Sequence, residues 1–219
     1  MERAGGQDAA RRSKAGHFVS FEGIDGSGKS TQARLLAEAL RADGRDVVLT
    51  REPGGSPGAE DIRALLVTGE PGRWSALSEI LLFTAARRDH LERTIRPALD
   101  RGAVVISDRF ADSTRVYQGA ADPALRALVD RLHAQFIGIE PDLTLVLDMP
   151  VETALTRGLA RRSGEDRFEE RGARFQTLLR SGFQALAAAE PARVRLIDAA
   201  RPEPAVAAGI ATIVRTHLQ

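Results

Sequence analysis

Short β-prone apolar runs alternate with longer stretches in which apolar residues recur at helical spacing. His17-Phe18-Val19-Ser20-Phe21, Val47-Val48-Leu49-Thr50, Ala103-Val104-Val105-Ile106-Ser107, Leu143-Thr144-Leu145-Val146-Leu147-Asp148 and Val194-Arg195-Leu196-Ile197-Asp198 each read as a strand. Leu35, Leu36, Ala39 and Leu40 predict the first helix, and a closing helix is expected from about Glu203. The alternation predicts an α/β fold with a parallel sheet covered on both faces. Each run ends at or near a polar residue at the carboxyl edge of the sheet, where ligands of such sheets bind.

Between the first strand and the first helix lies Gly23-Ile24-Asp25-Gly26-Ser27-Gly28-Lys29-Ser30. This is a phosphate-binding loop, whose glycines let successive N–H groups converge on phosphate oxygens. The following helix adds its free N–H groups and positive dipole end. In such a loop Lys29 reaches the β- and γ-phosphates and the Ser30 hydroxyl ligates Mg²⁺, with Thr31 next in line. The expected ligand is therefore a nucleoside triphosphate.

Two stretches are too polar or too rich in Gly and Pro for regular elements. Arg51-Glu52-Pro53-Gly54-Gly55-Ser56-Pro57-Gly58 reads as a loop at a strand's carboxyl end. Arg161-Arg162-Ser163-Gly164-Glu165-Asp166-Arg167 interrupts two helical segments, as a solvated turn or as a lid of about residues 158–168 that carries arginines over transferring phosphates.

Bulk properties narrow the function classes. The chain has 219 residues, 43% hydrophobic and 28% charged, enough for one domain with a generous core. Its 31 basic and 30 acidic residues leave a net charge of +1, which argues against a nucleic-acid coat or a membrane-surface binder. There is no cysteine, hence no disulfide, thiolate metal site or catalytic thiol. No apolar run is long enough to span a bilayer. Residues 1–16 lack the apolar core of a secretion signal and read as a disordered extension before a domain at 17–219, so the expected location is cytoplasmic.

Further segments carry a more specific resemblance. Phe21 to Gln32, Arg51-Glu52-Pro53-Gly54-Gly55, Phe83-Thr84-Ala85-Ala86-Arg87, Ile106-Ser107-Asp108-Arg109-Phe110, Ser113-Thr114, Tyr117-Gln118-Gly119, Pro141 to Asp148 and Asp166-Arg167-Phe168-Glu169 occur in one order. In this the chain resembles the thymidylate kinase family, from about Phe18 to the last helix. The resemblance implies a P-loop nucleoside monophosphate kinase fold with a five-stranded parallel sheet. It also implies phosphorylation of dTMP by ATP with Mg²⁺ on the way to dTTP, and a homodimer. A kinase for another deoxynucleotide and a P-loop switch protein are the alternatives.

Residue roles follow from the same resemblance. Arg51 and Arg109 hold the acceptor phosphate, suited to it by a planar fork that donates two hydrogen bonds at once. Asp108 helps position Mg²⁺ with Ser30. Phe83 stacks on the base, with Leu81 and Leu82 beside it as core, and Arg87, one turn on, reaches a base oxygen. Thr114 and Gln118 lie around the base, and Tyr117 crowds the sugar's 2′ position. Asp25 accepts from the 3′-hydroxyl, and Glu52 orders the acceptor side. Some relatives carry a basic residue where Gly26 stands here. The missing charge then falls to the lid, counted as Arg157, Arg161, Arg162 and Arg167, with Arg161 and Arg167 as the catalytic candidates beside Lys29. Asp198-Ala199-Ala200-Arg201-Pro202 is placed at the adenine.

Overall fold

The computed structural model describes residues 16–70, 72–119, 122–159 and 172–218. The strands are β1 (His17–Glu22), β2 (Val47–Arg51), β3 (Val104–Asp108), β4 (Leu143–Asp148) and β5 (Val194–Asp198). They form one parallel sheet in the order β2-β3-β1-β4-β5. The helices are α1 (Lys29–Ala42), α2 (Pro57–Val67), α3 (Ala76–His90), α4 (Arg96–Asp100), α5 (Ala111–Gly119), α6 (Pro123–Leu132), α7 (Val151–Leu159), α8 (Gly172–Ala189) and α9 (Glu203–His217). A π-helical turn, Leu91–Ile95, joins α3 to α4.

Sheet position explains the composition of each strand. The central strands β1, β3 and β4 are covered on both faces and are buried almost throughout, whereas the edge strands β2 and β5 are largely half-buried or exposed after their first residue. Period-two alternation sorts the core into two layers. Val19, Phe21, Val104 and Ile106 pack with Leu36 and Leu40 of α1 and Val214 of α9. Phe18 and Val105 face the other way, onto Leu91, Ile95 and Phe110. Phe18 meets Phe110 edge to face, ring centroids 4.8 Å apart.

Several expectations are corrected. Pro57 and Gly58 are not loop but the first turn of α2, where proline's missing N–H is no loss, and Arg51 is the last residue of β2. Gly16 is already tied to the fold, its N–H donating to Leu99 O at 3.1 Å. Leu81 is not core: it is 58% exposed. The inner face of α3 is set by Glu79, Ile80, Ala86, Arg87 and His90, and Leu81 points about 100° away from Ile80. Arg157 lies on α7 rather than in a lid loop. Arg161, Arg162 and Arg167 lie outside the described residues. Among the described residues, no helix is long and apolar enough to cross a membrane.

Candidate functional site

A cleft of about 390 Å³ opens at the carboxyl ends of β1, β2 and β3. It brings together Asp25, Gly26, Gly28, Lys29 and Ser30 from the loop after β1, Arg51 and Glu52 from β2 and its loop, Phe83 and Arg87 from α3, and Asp108 and Arg109 from β3. Thr114, Tyr117 and Gln118 enter from α5. Residues up to 93 positions apart, Asp25 and Gln118 among them, thus line one space.

The loop after β1 is shaped by what surrounds it. Gly26 has φ +79°, and a Cβ there would stand 2.0 Å from the Ala154 carbonyl oxygen of α7. Helix α7 thus leaves no room for a side chain at this position. Lys29 Nζ donates to Ile24 O at 2.8 Å and lies 4.0 Å from Asp25 Oδ1. Burial, with Arg109 adding to it, brings the Lys29 ammonium down to about 8. Phosphate oxygens would add to the counter-charge that Asp25 supplies at 4.0 Å.

Ser30 donates to Asp108 Oδ2, while Asp108 Oδ1 is buried without a hydrogen-bond partner among the described residues. One hydroxyl, one carboxylate oxygen without a partner and nearby phosphate positions make a hard-oxygen donor set. That set fits Mg²⁺, which takes few protein ligands and completes its shell with water and phosphate.

Arg109 is the one non-glycine residue with positive φ, +72°, among those described. The unusual backbone turns its guanidinium back over the cleft floor. Nη2 donates to Asp25 Oδ1 and, at 3.2 Å, to Tyr117 Oη; Nη1 donates to Ser113 Oγ at 2.9 Å. Tyr117 Oη in turn donates to Asp25 Oδ2 at 3.1 Å. Burial works to raise the Asp25 carboxyl, but Arg109, then Lys29 and Tyr117, hold it below the ordinary carboxylate range. Burial raises the Tyr117 phenol well above its ordinary value, so it stays a donor.

The remaining predicted residues sort by environment. Phe83 is half-buried and lines the cleft rather than joining the core. Arg87 is buried, with Nε donating to Glu52 Oε2 at 2.7 Å and Nη2 to Thr114 Oγ1 at 2.9 Å. Gln118 Nε2 donates to Glu79 Oε2 at 3.1 Å. Arg51 is 54% exposed and pairs with Glu60 Oε2 at 3.1 Å. An ion pair that exposed is worth at most about 1 kcal/mol, so Arg51 can exchange it for a phosphate at little cost. On the other side of the loop a second cleft is lined by Ser27, Thr31, Gln32, Arg157, Arg201 and Glu203. It is the cavity that Asp198–Pro202 was expected to border, and Arg157 Nη1 reaches Ala199 O there at 3.5 Å.

Four neighbours of the cleft residues were given no role in the sequence reading, although Glu22 and Ser113 lie within its motifs. Glu22, fully buried, accepts from Phe110 N at 2.8 Å and from Ser113 Oγ, fixing the turn that carries Arg109. Burial first, and then Asp112, pushes its carboxyl up to about 7. Ser113 is the link from Glu22 to Arg109. Gln176 of α8 helps hold the Asp25 carboxyl low, and its Oε1 is buried without a partner among the described residues. His90 touches Glu52. Helical spacing held a signal for one of them, since His90 follows Arg87 by three residues on α3.

Known proteins with this arrangement agree on one family. The sequence pattern of the family described as thymidylate kinase matches residues 21–210. The chain is 71% identical to the thymidylate kinase of Dinoroseobacter shibae over 195 residues, 89% of this chain and 94% of that one. It is 66% identical to that of a Jannaschia species over 201 residues, 92% and 97% of the two chains. The solved thymidylate kinase of Ehrlichia chaffeensis superposes with a TM-score of 0.74 at 35% identity, covering 91% of this chain and 99% of the other. With this family pattern over residues 21–210 and relatives this similar over most of the chain, this protein belongs to the thymidylate kinase family.

Proposed function

We propose that this chain transfers the γ-phosphoryl group of ATP to dTMP, giving dTDP and ADP. The observation that carries the reading is the second, monophosphate-sized set of groups facing the phosphate-binding loop: Arg51, Arg109, Phe83, Arg87 and Tyr117 around one cleft. A switch protein that hydrolyses its nucleotide has no use for them. An oxygen of the acceptor phosphate attacks the γ-phosphorus as the bond to the β–γ bridging oxygen breaks, and ADP leaves with that oxygen. Mg²⁺ held by Ser30 and Asp108 would neutralise phosphate charge.

The chain's own residues orient and exclude. Gly23 to Thr31 cradle the donor, and Lys29 follows the charge on its outer phosphates. Arg51 and Arg109 hold the acceptor phosphate in line. Phe83 stacks on thymine, Arg87 donates to a base oxygen, and Thr114 and Gln118 close the base pocket. Tyr117 leaves no room for a 2′-hydroxyl, and Asp25, already fixed by Arg109 and Tyr117, accepts from the 3′-hydroxyl. Arg161 and Arg167 are assigned the charge of the transferring group, since Gly26 brings none. The protein acts as a homodimer in this reading, supported by exposed Leu65, Leu77 and Leu81 on the packed helices α2 and α3.

Coupled ADP release tests the proposal. Turnover of ATP should rise by orders of magnitude on adding dTMP; slow hydrolysis indifferent to every monophosphate would sink it.

A further inference from the structure

His90, the last residue of α3, is completely enclosed, yet none of the roles above uses it. Its Nδ1 lies 3.0 Å from Glu52 Oε1, and its Nε2 lies 2.7 Å from Thr50 Oγ1. The second oxygen of Glu52 accepts from Arg87 Nε at 2.7 Å. Arg87 Nη2 continues the chain to Thr114 Oγ1 at 2.9 Å and Phe110 O at 3.2 Å. A single hydrogen-bonded path therefore runs from β2 through the imidazole and a buried carboxylate to the guanidinium at the base end of the cleft.

The same ring supports the Arg51–Gly55 loop. A Cβ on Gly55 would stand 2.4 Å from His90 Nε2 and 2.4 Å from Thr50 Oγ1, so the loop backbone lies directly on the imidazole. Gly55 O accepts from Thr94 Oγ1 at 2.7 Å, one turn beyond His90 in the π-helical segment. Such wide turns recur at functional sites because they re-aim side chains relative to a regular helix. Here the turn puts His90 and Thr94 under one loop.

Arg87 has two of its nitrogens fixed in the guanidinium plane, Nε by Glu52 and Nη2 by Thr114 and Phe110. That leaves Nη1 without a partner among the described residues, on a side chain that lines the cleft. A donor held so rigidly discriminates. It pairs with a carbonyl oxygen at the pyrimidine 4-position and opposes an amino group there, since two donors facing each other leave both unsatisfied. Rigidity depends on Glu52, a buried carboxylate whose Oε1 has His90 as its only side-chain partner among the described residues.

We propose that His90 is a positioning residue for base selection: by holding Glu52 it fixes the plane of Arg87, and thereby the preference for a 4-carbonyl over a 4-amino pyrimidine monophosphate. The role rests on the reading of this cleft as the dTMP site.

The test is steady-state kinetics with dTMP and dCMP on wild type, His90→Phe, His90→Asn and Thr50→Val. His90→Phe keeps the ring shape and removes both nitrogens. It should raise KM for dTMP by about 10-fold with KM for ATP almost unchanged, and shrink the dTMP-over-dCMP ratio of kcat/KM by about 10-fold. His90→Asn, which returns an N–H near the Nδ1 position, should recover most of that ratio. Thr50→Val should move it in the same direction by less, and decides the matter if His90→Phe does not fold. An unchanged ratio in folded His90→Phe, or in Thr50→Val where that variant decides, overturns the role, as does an equal loss for dTMP and ATP. A wild-type enzyme with no preference for dTMP overturns instead the reading of the cleft.

Discussion

Arg109 and Asp25, 84 residues apart in sequence, form an ion pair across the floor of the cleft, with Tyr117 Oη hydrogen-bonded to both. The pair joins the loop after β1 to the carboxyl end of β3, which in the proposed reaction serve the donor and the acceptor. It also fixes the Arg109 guanidinium at the cleft, where the proposed reaction brings two phosphates together.

The backbone cost at Arg109 can be separated from its charge. Left-handed φ is unfavourable for any residue with a Cβ by about 1 kcal/mol and free for glycine. Arg109→Gly and Arg109→Ala should both lose most kcat/KM for dTMP. Chemical denaturation should find the glycine variant more stable than the alanine one by about 1 kcal/mol.

Lys29→Ala should lower kcat by about 10²–10³-fold, the usual loss when one donor to developing transition-state charge is removed. The fold should survive, because the ammonium's contacts are Ile24 O and Asp25 in the loop itself. Circular dichroism alongside the coupled assay checks both halves, and near-wild-type turnover would refute the loop assignment.

Gly26→Ala should abolish tight ATP binding, because its Cβ has only the Ala154 carbonyl to move against. Gly26→Arg should fail equally, although it adds the charge some relatives carry at this position. Calorimetric titration with ATP decides; an arginine variant with improved turnover would show that α7 yields.

Tyr117 has two separable parts. Tyr117→Phe removes a hydroxyl that touches Asp25 and Arg109, a loss of about 1 kcal/mol, or roughly fivefold in kcat/KM. Tyr117→Ala also removes the ring, which Phe175 meets edge to face at 6.2 Å. Only the alanine variant should accept the ribonucleotide analogue of dTMP appreciably; unchanged deoxy-over-ribo selectivity would end the sugar-gate role.

Glu22 makes stability depend on pH. Its folded carboxyl titrates near 7 against 4.5 for an ordinary glutamate, because of burial first and Asp112 second. The folded state therefore keeps the proton longer than the unfolded chain does. Its stabilising contribution is complete below pH 4.5 and is lost as pH rises through 7, by up to about 3 kcal/mol. Glu22→Gln cannot lose that proton. Denaturation midpoints of the two proteins should diverge over this window in favour of the variant, and parallel curves would contradict the assignment.

Much of this protein could be read along the chain. The strand runs and the phosphate-binding loop are local signals: a buried parallel strand needs consecutive apolar residues, and a phosphate nest needs its glycines in sequence. The residues proposed for the acceptor were legible only through their ordered short motifs, and the structure gathers Arg51, Phe83, Arg87, Arg109 and Tyr117 around one cleft. Leu81 was misread because an apolar residue on a helix names no face by itself; neighbouring Ile80 took the inward one. Glu22, beside an apolar run, and His90, within a charged stretch, drew no role because a polar residue is silent until its partners, Ser113 in one case and Glu52 in the other, are known.

The sequence alone therefore determined the fold class, the donor loop and the order of the acceptor motifs, all of which depend on residues close together in the chain. Tertiary structure decided which charges meet. Crossing β1 between β3 and β4 brings Asp25 to Arg109, sets Ala154 against Gly26, and closes the path from Thr50 through His90 and Glu52 to Arg87. Hydrogen bonds and ion pairs act over a few ångströms, and those distances exist only once the sheet has ordered its strands.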